Sequence, residues 1–209
     1  MVIYGCHYLV CEHLFLIPRC YMSQHGPWFI KDSKDVYVDP FVSVRVDEVV
    51  RPDGDDGQHV VVFMKPGVCV LAIDEKNNVY LTREFHYGIG RYSLEAVSGG
   101  IDTGEHADAT AKRELAEELG LVAKCWEVVG SVDPFTTIVV SPTNTYIARG
   151  LTKTASNPEG TELIETVVMP LSEAVARVNS GEITHAPTCV LILQAMMRSG
   201  SFALNASSS

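Results

Sequence analysis

The stretch GGIDTGEHADATAKRELAEELGL, residues 99–121, decides the fold of this chain. It opens in a glycine-rich segment, with three glycines within residues 98–104, and glycine lets the backbone approach a ligand or a metal ion closely. The residues that follow are mostly good helix formers without glycine or proline, so we predict a helix from about His106 to Leu119. Gly120 then ends this helix in a left-handed cap.

Three acidic side chains project from one side of the predicted helix. Glu114 and Glu118 are spaced i,i+4 and Glu114 and Glu117 are spaced i,i+3, which places their carboxylates within about 6 Å of one another. Such a cluster repels itself unless a cation lies among its members, and Mg²⁺ or Mn²⁺ is the usual partner of carboxylates, waters and phosphate oxygens. A solvent-facing acidic helix is the alternative interpretation, but it explains neither Arg113 nor Glu105 nor the glycine spacing.

One pattern, G-x5-E-x7-R-E-U-x-E-E-x-G-U with U for an aliphatic residue, fits nine positions: Gly99, Glu105, Arg113, Glu114, Leu115, Glu117, Glu118, Gly120 and Leu121. This pattern is the Nudix box, and the chain resembles the Nudix hydrolase superfamily. The resemblance implies that Glu114, Glu117 and Glu118, with the backbone carbonyl of Ser98, bind Mg²⁺, for which Mn²⁺ is an alternative.

The same resemblance implies roles for the other residues of the box. Glu117 is expected to be catalytic as well as a metal ligand, and Arg113 is expected to orient a carboxylate by charge-assisted hydrogen bonds. Gly99 and Gly100 are expected to bring the backbone against the substrate. Glu105 is expected to brace the loop. Glu105 and Gly120 are expected to be structural positions of the box.

The net charge limits the kinds of partner that this chain can bind, and the cysteine pattern indicates its cellular compartment. The chain of 209 residues has 16 Lys and Arg against 26 Asp and Glu, a formal net charge of −10, and lacks any Lys/Arg cluster. This balance argues against nucleic acid or an anionic membrane as the main partner. The six cysteines show no C-x-x-C spacing, and no apolar run reaches about 18 residues, so we expect a cytoplasmic protein with reduced thiols.

The domain organisation is expected to be simple. Residues 1–21 are apolar without a basic n-region, and we interpret them as an uncertain N-terminal extension or a mispredicted start. Residues 22–198 are expected to form a single domain. Residues 199–209 are expected to be a flexible tail.

Hydrophobic patterns predict the fold class. Alternating valines from Val36 to Val46, the turn-rich residues 51–57 and a return strand over residues 59–64 predict an N-terminal hairpin. Further runs predict strands over residues 67–73, 79–83, 126–132, 144–148 and 163–169, and helices over residues 171–180 and 187–197. We therefore expect an α/β fold, an α/β/α sandwich with a mixed β-sheet and an N-terminal β-hairpin extension.

Over roughly residues 36–197 the chain resembles the ADP-ribose and nucleotide-sugar pyrophosphatase branch of the superfamily. The matching features include the N-terminal hairpin, the strand end LTREFHY at residues 81–87, and Glu95 four residues before Gly99. The resemblance implies Mg²⁺-dependent hydrolysis of the pyrophosphate bond of a nucleoside diphosphate linked to another moiety, giving a nucleoside monophosphate and a phosphorylated product. Members of the branch often form homodimers, and we extend that expectation to this chain.

Substrate contacts and a proton acceptor are also implied by this branch. Arg83 and His86 are the expected phosphate contacts, although His86 stands where many members have arginine and so replaces a permanent charge with a titratable one. The branch often places its general base on a downstream loop. In the loop at residues 157–162, Glu162 is the first candidate and Glu159 the second.

Two other functions compete with hydrolysis. A ligand-sensing Nudix domain would bind ADP-ribose or a nucleotide sugar without turnover, but it would need no metal-activated water and hence no intact glutamate cluster. An RNA-processing enzyme would need a basic surface, which a net charge of −10 does not favour.

Overall fold

The computed structural model of this chain describes residues 22–155 and 163–206. The N-terminal segment 1–21 lies outside the described residues, as do the two loop acids Glu159 and Glu162. What the sequence predicts for them therefore stays a prediction.

The elements follow one another in a strand-rich order. The strands are β1 (Ser23–His25), β2 (Trp28–Val38), β3 (Val42–Val50), β4 (Asp56–Met64), β5 (Gly67–Ile73), β6 (Asn78–His86), β7 (Arg91–Glu95), β8 (Val97–Gly100), β9 (Leu121–Val132), β10 (Val139–Val140), β11 (Thr143–Lys153) and β12 (Glu165–Pro170). The helices are α1 (Ala107–Leu119), α2 (Leu171–Asn179) and α3 (Ala186–Ala206).

A mixed seven-stranded sheet forms the centre of the molecule, and β5 is its buried strand. The sheet has the order β12-β6-β5-β11-β9, with β7 on β6 and β8 on β5. Side-chain alternation along β5 separates two cores. Leu71 and Ile73 share a cluster with Leu191 of α3, whereas Val70 shares a cluster with Leu115 of α1. Helices therefore cover both faces of a mixed sheet, which confirms the predicted α/β/α sandwich.

The N-terminal strands form a second sheet that is larger than the predicted hairpin. Its order is β1-β2-β3-β4-β10, and β2, β3 and β4 pair antiparallel. The added strand β10 runs parallel to β4 and pairs Val139 with Val62. A two-residue strand is too short to produce a periodic pattern, so the sequence contains no signal for it.

The last helix runs further than predicted. It continues to Ala206 rather than ending near Met197, so residues 199–206 of the expected tail are helical. This extension contains no proline, and a single glycine weakens a helix by only about 1 kcal/mol. Within residues 22–155 and 163–206, none of the helices is both long enough and apolar enough to cross a membrane.

Candidate active site

The box helix starts and ends as its sequence predicts. It spans Ala107–Leu119, with His106 in an extended conformation before it. At its end Gly120 has φ 60° and ψ 39°, and its N–H donates to the carbonyls of Ala116 and Leu115. A side chain at position 120 would strain this left-handed conformation, which explains the glycine.

Arg113 links three carboxylates of the loop and the helix. Its Nε and Nη2 donate to the two oxygens of Glu105 at 3.2 and 3.1 Å. Its Nη1 donates to Glu114 Oε1 at 2.8 Å and to Glu117 Oε2 at 2.9 Å. The hydrogen bonds from Arg113 lower the pKa of Glu105 to about 2. One guanidinium therefore joins the loop to the acidic face of α1.

Gly99 leaves room for one of these carboxylates. Strand β8 pairs antiparallel with β5, and Gly99 lies opposite Val68. A Cβ built on Gly99 would lie 2.0 Å from Glu114 Oε1 and 2.1 Å from Glu114 Cδ. The first glycine of the box is thus required because a glutamate of the same box packs against its backbone.

A cavity of about 480 Å³ lies beside this helix and loop. Seven of the predicted site residues line it: His86, Ser98, Gly99, Gly100, Arg113, Glu114 and Glu117. A volume of this size lies within the range of small-molecule sites. The structure therefore brings most of the predicted site together around one space.

Arg83 does not reach this cavity. Its Nη1 lies 3.1 Å from Glu165 Oε2, its guanidinium lies 4.1 Å from the ring centroid of Tyr92, and it lines a separate cavity of about 250 Å³. Arg83 and His86 are three positions apart on β6, and side chains at an odd spacing point to opposite faces of a strand. The side chains of Arg83 and His86 therefore line different cavities.

Two glutamates of the box lie outside the cavity lining. Glu105 holds Arg113, as described above. Glu118 lies close enough to the buried thiol of Cys69 to affect its titration. Burial raises the pKa of that thiol to about 12, and the carboxylates of Glu95 and Glu118 add to the rise.

The cavity is also lined by residues to which sequence reasoning gave no role. Lys65 Nζ lies 2.9 Å from Asp102 Oδ1 and 5.4 Å from the ring centroid of Phe41. On another wall, Glu95 lies between His86 and His185. In the sequence, Glu95 stands out only through its place four residues before Gly99, and the sequence around Lys65 and His185 contains no motif that marks them.

The donor atoms around the cavity suit a hard divalent cation. Carboxylate oxygens of Glu114 and Glu117 and the backbone of Ser98 are the oxygen ligands that Mg²⁺ and Mn²⁺ accept. As the side chains stand, however, no three acidic, histidine or cysteine side chains within residues 22–155 and 163–206 surround one ion position. A physical reason is that Arg113 holds an oxygen of Glu114 and an oxygen of Glu117. Two members of the predicted three-glutamate cluster, Glu114 and Glu117, are therefore paired with a guanidinium.

Comparison with known proteins places this site in a family. A model of the NUDIX domain matches residues 64–188, which contain the cavity-lining loop and α1. This chain belongs to the Nudix family. It is a Nudix hydrolase, as the box in its sequence predicts.

Two relatives and one solved structure illustrate the similarity. The ADP-ribose pyrophosphatase of Mycobacterium tuberculosis is 30% identical over 157 residues, covering 73% of this chain and 75% of the relative. The ADP-sugar pyrophosphatase of Mus musculus is 30% identical over 170 residues, covering 76% of this chain and 75% of the relative. The crystal structure of an ADP compounds hydrolase has a TM-score of 0.67 at 20% identity, covering 82% of this chain and 94% of that chain. The last similarity supports the Nudix fold.

Proposed function

We propose that this Nudix hydrolase cleaves the pyrophosphate bond of a nucleoside diphosphate linked to another moiety, with ADP-ribose or a nucleotide sugar as substrate. The observation that carries the proposal is the cavity in which Glu114 and Glu117 of the box lie with Lys65 and His86. Acidic and basic groups around one space suit a metal-bound diphosphate. The similarity to an ADP-ribose pyrophosphatase and an ADP-sugar pyrophosphatase supports this substrate class.

The box residues are proposed to have distinct roles in orienting carboxylates and binding the metal ion. Arg113 orients Glu114 and Glu117, and Glu105 orients Arg113. When bound by Glu114, Glu117, Glu118 and the Ser98 carbonyl, Mg²⁺ or Mn²⁺ would neutralise phosphate oxygens and acidify a water.

Binding of the diphosphate is proposed to depend on a few groups of the cavity wall. Gly99 and Gly100 present backbone to the diphosphate, and Lys65 and His86 supply donors that suit its charge. Glu162, with Glu159 second, is proposed as the acceptor of the water's proton because the loop sequence is rich in carboxylates and turn residues.

The proposed partner is a small molecule rather than nucleic acid or membrane, since the formal net charge is −10. We also propose a cytoplasmic location, on the basis of the cysteine pattern. A homodimer is supported by apolar side chains that the N-terminal sheet exposes: Phe29, Val36, Tyr37 and Val38, which are 41 to 67% exposed.

A substrate panel tests the proposal. ADP-ribose, nucleotide sugars, dinucleoside polyphosphates and NADH would be incubated with Mg²⁺ or Mn²⁺, and phosphate would be measured after a coupled phosphatase. We expect turnover of ADP-ribose or a nucleotide sugar and much less of the other classes. Tight binding of ADP-ribose without any product would instead support the ligand-sensing alternative.

A further inference from the structure

One carboxylate of the cavity, Glu95, lies between two imidazoles. Glu95 Oε1 is 3.1 Å from His86 Nε2, and Glu95 Oε2 is 3.2 Å from His185 Nδ1. The Glu95 side chain is 12% exposed, whereas those of His86 and His185 are 38% and 28% exposed. All three residues line the cavity that contains Glu114 and Glu117.

These contacts determine which nitrogen of His185 carries a proton. A carboxylate can only accept, so His185 Nδ1 must donate to Glu95. The same nitrogen lies 2.9 Å from Thr188 Oγ1, which also accepts the N–H of Ala96 at 2.9 Å. The single Nδ1–H of His185 is shared between Glu95 Oε2 and Thr188 Oγ1. A hydroxyl has two acceptor lone pairs, so Thr188 can accept from this N–H and from that of Ala96 and direct its own proton toward Cys69 Sγ, 3.9 Å away. The ring is therefore held in one orientation by two buried or nearly buried partners.

The other nitrogen of each ring is available for a ligand. Within residues 22–155 and 163–206, His86 Nδ1 and His185 Nε2 have no hydrogen-bond or ion-pair partner. His86 Nε2 also donates to Glu95, because a carboxylate can only accept a hydrogen bond. Glu95 thus aligns two rings from different elements, β6 and the segment before α3, at one wall of the cavity.

We propose that His86 and His185 form a phosphate clamp, in which Glu95 is the positioning residue and the outer nitrogens of both imidazoles bind one phosphoryl group of the substrate. This inference rests on the proposed function, because it assumes that a diphosphate enters this cavity. It adds His185 as a binding residue beside His86.

The charges around His185 make such binding depend on pH. Burial lowers the pKa of His185 below its ordinary value of 6.5, Glu95 opposes this effect and His86 adds to it. The thiol of Cys69, on the neighbouring strand β5, is neutral near pH 7 because its pKa is raised to about 12. His185 is therefore neutral near pH 7 in the unliganded protein. A bound phosphate stabilises imidazolium, so binding is coupled to uptake of a proton.

Calorimetry with a non-hydrolysable probe tests the clamp. The probe is ADP-ribose with a methylene group in place of the bridging oxygen, titrated into the full chain at saturating Mg²⁺. Binding heats in buffers of different ionisation enthalpy yield the number of protons taken up at pH 6, 7 and 8. We expect proton uptake near pH 7 in the wild type.

Three variants separate the clamp from a structural role. His185→Asn should weaken probe binding about tenfold or more and reduce the proton uptake, as expected for a lost charge-assisted hydrogen bond. Glu95→Gln should move the uptake to lower pH, because the carboxylate no longer stabilises imidazolium. His106→Asn is the matched control, since this exposed side chain makes no cap hydrogen bond and lies outside the cavity. It should change neither quantity.

The outcomes distinguish the clamp from the proposed function. If the wild type does not bind the probe, the proposed function fails. If the wild type binds the probe and a folded His185→Asn variant shows the same proton uptake as the wild type, only the clamp fails. A fall in kcat at constant KM in this variant would also overturn the clamp, because it would place His185 at the reacting atoms.

A measurement on the wild type serves if the variants do not fold. Nitrogen NMR of the imidazoles should show His185 protonated at Nδ1 and His86 at Nε2, and both outer nitrogens should shift when the probe binds. Outer nitrogens that do not respond to the bound probe would contradict the proposal.

Discussion

The carboxylate of Glu114 occupies the space in which a side chain at Gly99 would begin, with Glu114 Oε1 2.0 Å from the position of a Cβ. A side chain at position 99 would therefore have to displace the side chain of Glu114. The same contact sets where Glu114 lies beside Arg113 and the cavity.

Gly99→Ala should displace Glu114 and disturb both packing and catalysis. We expect a loss of about 1–3 kcal/mol in the free energy of unfolding, typical of overpacking, and a fall in kcat/KM of at least about tenfold. Denaturant unfolding and steady-state kinetics measure the two effects. Gly88→Ala is the control, because a Cβ there meets nothing within 4 Å. Equal behaviour of the two variants would show that the Gly99 contact is unimportant.

The ion pair of Glu105 with Arg113 should make stability depend on acid pH. The folded-state pKa of Glu105 is about 2, below its ordinary value of 4.5. Its contribution is therefore present above about pH 4.5 and is lost as the pH falls toward 2. Glu105→Gln should be less stable than wild type at pH 7, and the difference should shrink over this range. Urea unfolding at several pH values measures it, with Glu75→Gln, in an exposed turn, as control.

Hydrolysis should require a divalent cation. We expect excess chelator to abolish turnover, added Mg²⁺ to restore it, and Glu118→Gln to lower kcat by about a hundredfold or more through lost charge stabilisation. Substrate affinity should change less than kcat. Full turnover in chelator, or wild-type kcat in the variant, would reject the proposed role of Glu118.

Lys65 and Arg83 should differ in their effect on substrate binding. Lys65 lines the cavity of Glu114 and Glu117, whereas Arg83 lines a separate one and pairs with Glu165. Lys65→Ala should raise KM about tenfold, as for a lost charged hydrogen bond. Arg83→Ala should leave KM nearly unchanged, because Arg83 lies outside that cavity. The variant should also stay folded, since an exposed ion pair contributes at most about 1 kcal/mol to stability. A KM effect of Arg83→Ala as large as that of Lys65→Ala would support the prediction, made from the sequence, that Arg83 contacts a phosphate.

His86→Arg should flatten the pH dependence of KM. If protonation of the imidazole pair favours the substrate, KM of the wild type should rise as the pH increases from about 6 to 8. Arginine keeps its charge over this range, so the variant should depend less on pH. Kinetics at saturating metal measure both profiles. Identical profiles would show that His86 makes no phosphate contact.

The sequence by itself determined the local elements of the site. The helix of the box, its cap at Gly120 and the buried strand β5 lie where the sequence predicts them. Helix propensity, capping and side-chain alternation act between residues a few positions apart, so the order of residues is enough to specify them. The i,i+3 spacing likewise placed Glu114 and Glu117 on the cavity side of α1, whereas Glu118, at i,i+4 from Glu114, does not line the cavity.

The tertiary structure alone decided which distant side chains meet. Glu95 reaches His185 because β7 pairs with β6 and because α3 begins beside it, and no local preference encodes that contact. Because His86 and Arg83 lie on opposite faces of β6, His86 lines the cavity and Arg83 does not. These contacts depend on strand register and on the packing of helices against the sheet, which are set by the whole chain rather than by neighbours in sequence.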